Sequence, residues 1–211
     1  MHNKTGFIKI TSWVVITIAA ASITGWILDV ELLKTLLPGL PSMKVNTAVC
    51  VLLCGVVALL FLDDAQKHFN IIIPLNLIAL ILSAFTLFEY VFNVNLRIDE
   101  FLVKESAAEA MPGRMAITSA TCLVMLTTGF AFVTAQAPKM FNMAARLFFA
   151  IVSLITILAI IGYTFDVPLL HSLSMSKSMA LLTALLLLPL SLVYATLITV
   201  AAPANTVRAR R

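Results

Sequence analysis

The sequence predicts an all-α integral membrane protein in which six transmembrane helices form three repeated helical hairpins in a pseudo-threefold arrangement. Three observations predict it. Mean hydropathy is +1.05, with 61% hydrophobic and only 11% charged residues, where a soluble domain carries about a quarter charged. Six apolar runs approach the roughly 20 helical residues needed to cross a hydrocarbon core. One loop-to-helix pattern recurs three times along the 211 residues, as in a repeat architecture.

The six runs fall at about 10–28, 45–62, 71–92, 115–134, 143–165 and 179–200. They use over half the chain, so residues 1–211 read as one membrane domain with no soluble domain beside it. Strands of a membrane barrel would alternate over about ten residues, and these runs do not. The first run, with Lys4 and Lys9 ahead of it and Ala19-Ala20-Ala21 near its end, has the outline of a signal peptide. It continues into Gly25-Trp26, which belongs to the repeated unit, so helix 1 is expected to be retained. Residues 1–9 read as a disordered or interfacial basic lead.

The repeated unit is an apolar helix ending in an aromatic residue, then a short polar residue and valine, a polar loop, and a new apolar helix opened by methionine. The aromatics are Trp26, Tyr90 and Tyr163, the polar residues Asp29, Asn93 and Asp166, and the methionines Met43, Met115 and Met175. Asn46, Thr118 and Ser178 stand near the openings of the second helices, where a side-chain oxygen can cap a free helix N–H. In residues 30–44, Leu32, Leu33, Leu36 and Leu37 have helical spacing and predict a short amphipathic turn on the membrane surface, stopped by Pro38-Gly39 and Pro41. Residues 95–114 form the longest and most charged loop, with a helix-friendly composition that predicts a solvated helix or lid. Asp63 to His68 makes a tight turn, and Pro189 is a kink position in helix 6.

Six crossings sort the basic residues. One side takes Lys4, Lys9, Lys67, Lys139, Arg146, Arg208, Arg210 and Arg211; the other takes Lys34, Lys44, Arg97, Lys104, Arg114 and Lys177 with most of the acids. The positive-inside tendency then places both termini in the cytoplasm and the three repeated loops outside. The net charge of +4 is spread between apolar runs and not gathered in a patch, so nucleic acid is excluded as a partner; the bilayer is the partner expected.

Chemistry-bearing residues are few. Cys50 and Cys54 lie one helical turn apart and Cys122 matches Cys50 in the second copy. Thiols so placed suit a soft metal or a redox pair, but no histidine accompanies them, and small apolar packing is the plainer role; no metal site is assigned. His2, His68 and His171 are scattered, and His171 in the third loop is either a pH-sensitive or ligand-touching residue or a plain surface one. No hydrolase, metalloprotease, P-loop or dinucleotide motif is present. The helix centres carry essentially no ionisable residue, which counts against a proton pump, an ion-coupled transporter and an enzyme centre at membrane depth. The remaining constellation is at the outer rim: Trp26, Asp29, Glu89, Tyr90, Asn93, Tyr163 and Asp166, with His171 nearby. It forms either a ligand-binding ring or an aromatic belt with helix-ending polar residues.

The series Gly25-Trp26-x-x-Asp29, Leu36-Leu37-Pro38-Gly39, Met43-Lys44-x-Asn46-Thr47-Ala48 and Leu53-x-Gly55-x-x-Ala58-Leu59-Leu60, with Pro112-Gly113-Arg114-Met115 in the second copy, resembles the N-terminal six-helix membrane sensor region of bacterial PAS-containing sensor histidine kinases and diguanylate cyclases. The resemblance covers most of residues 20–200. It implies a bacterial cytoplasmic-membrane sensor domain, of the two-component kind, that passes a signal through its last helix to a cytoplasmic kinase or cyclase output domain; it carries over no ligand and no cofactor. The chain departs from the family pattern by ending eleven residues after position 200, which fits an excised or stand-alone input domain, or one that signals through a partner; a homodimer is compatible with it. The expectation is thus a non-enzymatic sensory or ligand-binding membrane domain. The alternatives are a small multi-helix transporter or channel, which needs a polar path, and a membrane assembly subunit, which needs a stoichiometric partner.

Overall fold

A computed structural model describes residues 2–37, 39–98, 112–134, 139–171 and 178–208. The described residues are helical and contain no strand. Six helices are long and apolar enough to cross a bilayer: α1 (His2–Ile27), α3 (Val45–Asp64), α4 (Phe69–Phe92), α5 (Ile117–Thr134), α6 (Lys139–Thr164) and α8 (Leu181–Arg208). Two one-turn helices, α2 (Glu31–Lys34) and α7 (Pro168–His171), follow α1 and α6. Their apolar surface places the protein in a lipid bilayer.

The expected basic lead is instead the start of α1. Its first turns are held by the bundle: Ile8 is fully enclosed in the core, and the Lys4 ammonium donates to Thr199 Oγ1 on α8 at 3.4 Å. The amphipathic turn of residues 30–44 is α2, which holds only Leu32 and Leu33 and ends in extended backbone at Thr35, before the prolines. Of the predicted helix or lid in residues 95–114, residues 99–111 lie outside the described part.

The helices form two layers. α3, α5 and α8 touch one another and make the inside. α4 packs on α3 and α5, α6 on α5 and α8, and α1 on α8 and α3. Burial follows this arrangement: 56%, 56% and 61% of the inner spans is enclosed, against 28% of each outer span. The outward side of α4 is correspondingly large and apolar, with Ile71, Leu77, Ile81, Phe85 and Phe88 exposed, as suits contact with lipid tails.

Close approach is set by small residues. A Cβ at Gly55 of α3 would lie 2.8 Å from Ile16 of α1, and one at Gly129 of α5 would lie 2.7 Å from the Phe149 ring of α6. Several hydroxyls inside the spans are satisfied by the carbonyl one turn back, as Thr127 Oγ1 to Leu123 at 2.7 Å and Thr156 Oγ1 to Val152 at 2.8 Å. Hydrogen bonds also cross between helices in the apolar interior. Asn76 Nδ2 donates to the Thr127 carbonyl at 3.1 Å, Ser153 and Ser191 share a bond of 2.7 Å, and Tyr194 Oη donates to the Cys54 carbonyl at 3.0 Å.

Candidate functional site at the aromatic rim

Trp26, Tyr90 and Tyr163 lie at the same end of the bundle, and each makes the same bond. Trp26 Nε1 donates to the Met43 carbonyl at 2.7 Å, Tyr90 Oη to the Met115 carbonyl at 3.1 Å, and Tyr163 Oη to the Met179 carbonyl at 2.6 Å. All three methionines are fully buried. Each stands two residues before an inner helix, which opens at Val45, Ile117 and Leu181. The third methionine is therefore Met179, four positions beyond the expected Met175, which lies outside the described residues. These aromatics hold the outer helix to the entry of the inner one, and their polar atoms are already used.

The short polar residues also share a geometry. Asp29, Asn93 and Asp166 have φ of 55°, 50° and 53°, the left-handed conformation that ends helices and that Asn and Asp tolerate better than most residues. The N–H of the valine that follows returns to a carbonyl five residues back: Val30 to Gly25 at 2.8 Å, Val94 to Glu89 at 3.2 Å, Val167 to Gly162 at 2.8 Å. This closes three helix ends in one way. The three residues are exposed, Asp29 while paired with Lys34, so among the described residues of the rim they are ones that a ligand can reach directly.

The capping expected of Asn46, Thr118 and Ser178 is not what they do. α3 is capped at Lys44 without a side-chain bond; Asn46 is its second residue, buried, and donates Nδ2 to the Ile98 carbonyl at 3.2 Å. Thr118 is likewise the second residue of α5 and its buried hydroxyl has no partner. Ser178 stands three residues ahead of α8. The helices start earlier or later than those residues because the buried methionine, and not the polar side chain, anchors the entry.

Charge gathers around two of the aromatics. Lys34 and Lys44 lie over the Trp26 ring at 4.6 Å and 5.7 Å from its centroid, and Lys34 pairs with Asp29. That hydrogen bond and the Lys34 charge hold the Asp29 carboxyl below its ordinary range. Arg114 lies over the Tyr90 ring at 5.4 Å. Glu89 is wholly buried: its Oε1 accepts the Leu96 N–H at 2.6 Å, and its Oε2 is 3.4 Å from Arg114 Nε. Arg114, 4% exposed, donates Nη2 to the Val94 carbonyl at 3.3 Å. His171 ends α7, and its side chain lies outside the described part.

The rim thus brings together Glu89 and Tyr90 with Arg114, and Trp26 with Lys34 and Lys44, Lys34 also pairing with Asp29; Asn93 and Asp166 stand exposed beside them. The three basic partners were absent from the sequence reading of the site. The missed signal was their position, since each sits beside a helix-opening methionine or one turn past the aromatic's valine. Cys50, Cys54 and Cys122 are free and buried, Cys50 Sγ facing the Ala79 carbonyl at 3.7 Å. Among the described residues no three His, Cys, Asp or Glu side chains lie together as a metal site. No family model, curated protein or solved structure matches the chain.

Proposed function

We propose that the chain is a non-enzymatic sensory or ligand-binding membrane module, built from one helical hairpin present three times about a pseudo-threefold axis. In this reading it lies in a bacterial cytoplasmic membrane, rim outward and both termini in the cytoplasm, and α8 carries the signal to a cytoplasmic output domain.

The observation that carries the relay is the place of α8. It touches α1, α3, α5 and α6, encloses Leu187, Leu190 and Tyr194 completely, and continues as helix past Val200 to Arg208. A rearrangement at any rim unit changes a helix that α8 contacts, and α8 is the segment that leaves the bundle. The repeat is supported by register. Counting back from Trp26, Tyr90 and Tyr163, the seventh residues (Ala19, Ser83, Thr156) and the eleventh (Val15, Ala79, Val152) are all fully enclosed. Counting on from Met43, Met115 and Met179, the fifth residue is a fully enclosed alanine each time: Ala48, Ala120 and Ala184.

The test joins the full chain through α8 to a kinase or cyclase output domain and inserts one to four residues after Val200. Each residue turns a helix by about 100°, so output is expected to rise and fall with the phase of the insertion. Replacing Asp29, Asn93 and Asp166 together is expected to blunt responses to externally added stimuli. Output indifferent to both changes rejects the reading.

A further inference from the structure

The residue before the rim aromatic is glycine in two units, Gly25 and Gly162, and glutamate in the middle one; all three positions are buried. At Gly25 the space belongs to the one-turn helix α2, since a Cβ there would lie 2.5 Å from Leu33 Cβ. In the middle unit Glu89 takes that space, and residues 94–96 run on without a helical turn. The carboxylate holds them instead, through the Leu96 N–H at 2.6 Å and through Arg114, which reaches back to the Val94 carbonyl.

We propose that Glu89 is a proton-binding site and that the Glu89–Arg114 pair is an acid-released latch between the end of α4 and the entry of α5. The inference deepens the sensory reading and rests on it for its consequence, naming the proton as a stimulus that the rim takes up. Charge is what the buried pair is built on. A protonated Glu89 offers Leu96 a weaker acceptor and withdraws its charge from the buried Arg114 guanidinium 3.4 Å away, which is costly in a low-dielectric setting. Turning Arg114 outward relieves that cost, and it also frees the Val94 carbonyl, the Tyr90 ring face and so the entry of α5. Among the described residues, Arg97 is a further cation next to Leu96; it is exposed, with its backbone N–H on Asn95 Oδ1. From α3, Lys44 lies over Trp26 and the neutral Asn46 holds Ile98; from α4 itself, the Tyr90 phenol is turned to Met115. The two glycine units have no carboxyl at the matching position, so the response is confined to the middle one.

The test follows the backbone amide shift of Leu96 by NMR in the full chain, held in lipid nanodiscs, from about pH 3 to about pH 8, a range that brackets ordinary carboxyl titration. The amide is expected to trace one titration in the unchanged protein and none in Glu89→Gln. Arg114→Gln is expected to displace the midpoint, because a nearby cation acts on the carboxylate. Glu89→Gly, which installs the residue of the other two units, serves in place of Glu89→Gln should that variant not fold. A Leu96 shift that stays flat while the protein remains folded overturns the latch, as does one that titrates unchanged in the glutamine or glycine variant. Titration of Leu96 with a grafted output that ignores acid leaves the latch standing and sinks the sensory reading; a flat Leu96 with a responsive output does the reverse.

Discussion

The phenol of Tyr163 donates to the backbone carbonyl of Met179 at 2.6 Å, closing an outer helix onto a buried residue two positions ahead of the inner helix that follows it. Trp26 and Tyr90 repeat the contact on Met43 and Met115. Removing such a donor leaves an acceptor of a buried residue without its partner, which costs about 1–3 kcal/mol. Tyr163→Phe and Tyr90→Phe are each expected to lower stability by that order with the fold kept, measured by unfolding in mixed micelles. Trp26→Phe is expected to cost more, since it also exchanges the indole that Lys34 and Lys44 cover for a smaller phenyl, a weaker cation–π partner. Unchanged stability in all three variants would show that these bonds do not hold the hairpins closed.

Backbone handedness at the helix ends gives a second test. Asn93 has φ of 50°, where a β-branched residue is strained and glycine is not. Asn93→Val is expected to destabilise by about 1–2 kcal/mol, whereas Asn93→Gly is expected to be neutral or mildly stabilising. Asp166 should respond alike, and thermal unfolding of the four variants decides it.

Gly25 should not tolerate a methyl group. The Cβ of Gly25→Ala meets Leu33 Cβ at 2.5 Å, with backbone atoms of Leu33 and Val30 at 3.1 Å, so α2 must lift away at about 1–3 kcal/mol. Hydrogen exchange at the Leu33 and Thr35 amides, which bond Val30 and Glu31, is expected to quicken. Gly6→Ala in the same helix meets nothing within 4 Å and is expected to stabilise α1 by about 0.5–1 kcal/mol.

The Asp29–Lys34 pair predicts a small, salt-sensitive acid dependence. Its folded carboxyl titrates below the unfolded one, so the stabilisation is present above the unfolded value and fades as pH falls through the folded one. The Asp29 side chain is 94% exposed, and salt screens such pairs. In an Glu89→Gln background, Asp29→Asn, which keeps a residue suited to positive φ, is expected to flatten what remains of the acid limb. Added salt is expected to do the same. An acid limb unaltered by either change would assign it to other groups.

Much of this was legible in the sequence because it rests on strong, local chemistry. Twenty-residue apolar runs have to be helices in lipid, where no water satisfies the backbone. The aspartate or asparagine before valine was legible as the recurring end of such a run, while its left-handed backbone came only with the structure. The pairing of aromatic with methionine was legible as recurrence, yet its bond was not. In the third loop Met175 and Met179 are four positions apart and equally apolar, and composition does not say which one Tyr163 bonds. Asn46 looked like a cap because caps are local, while its partner Ile98 is 52 positions away.

By itself the sequence determined that the chain belongs in a membrane as six helices, and where those helices break, since hydrophobic length and turn chemistry act over a few residues. Only the tertiary structure decided which helices are inside, which methionine seats the third one, and that Glu89 is enclosed against Arg114. Those outcomes depend on which distant surfaces meet, and a carboxylate at a helix end reads the same in sequence whether water or a guanidinium lies beside it.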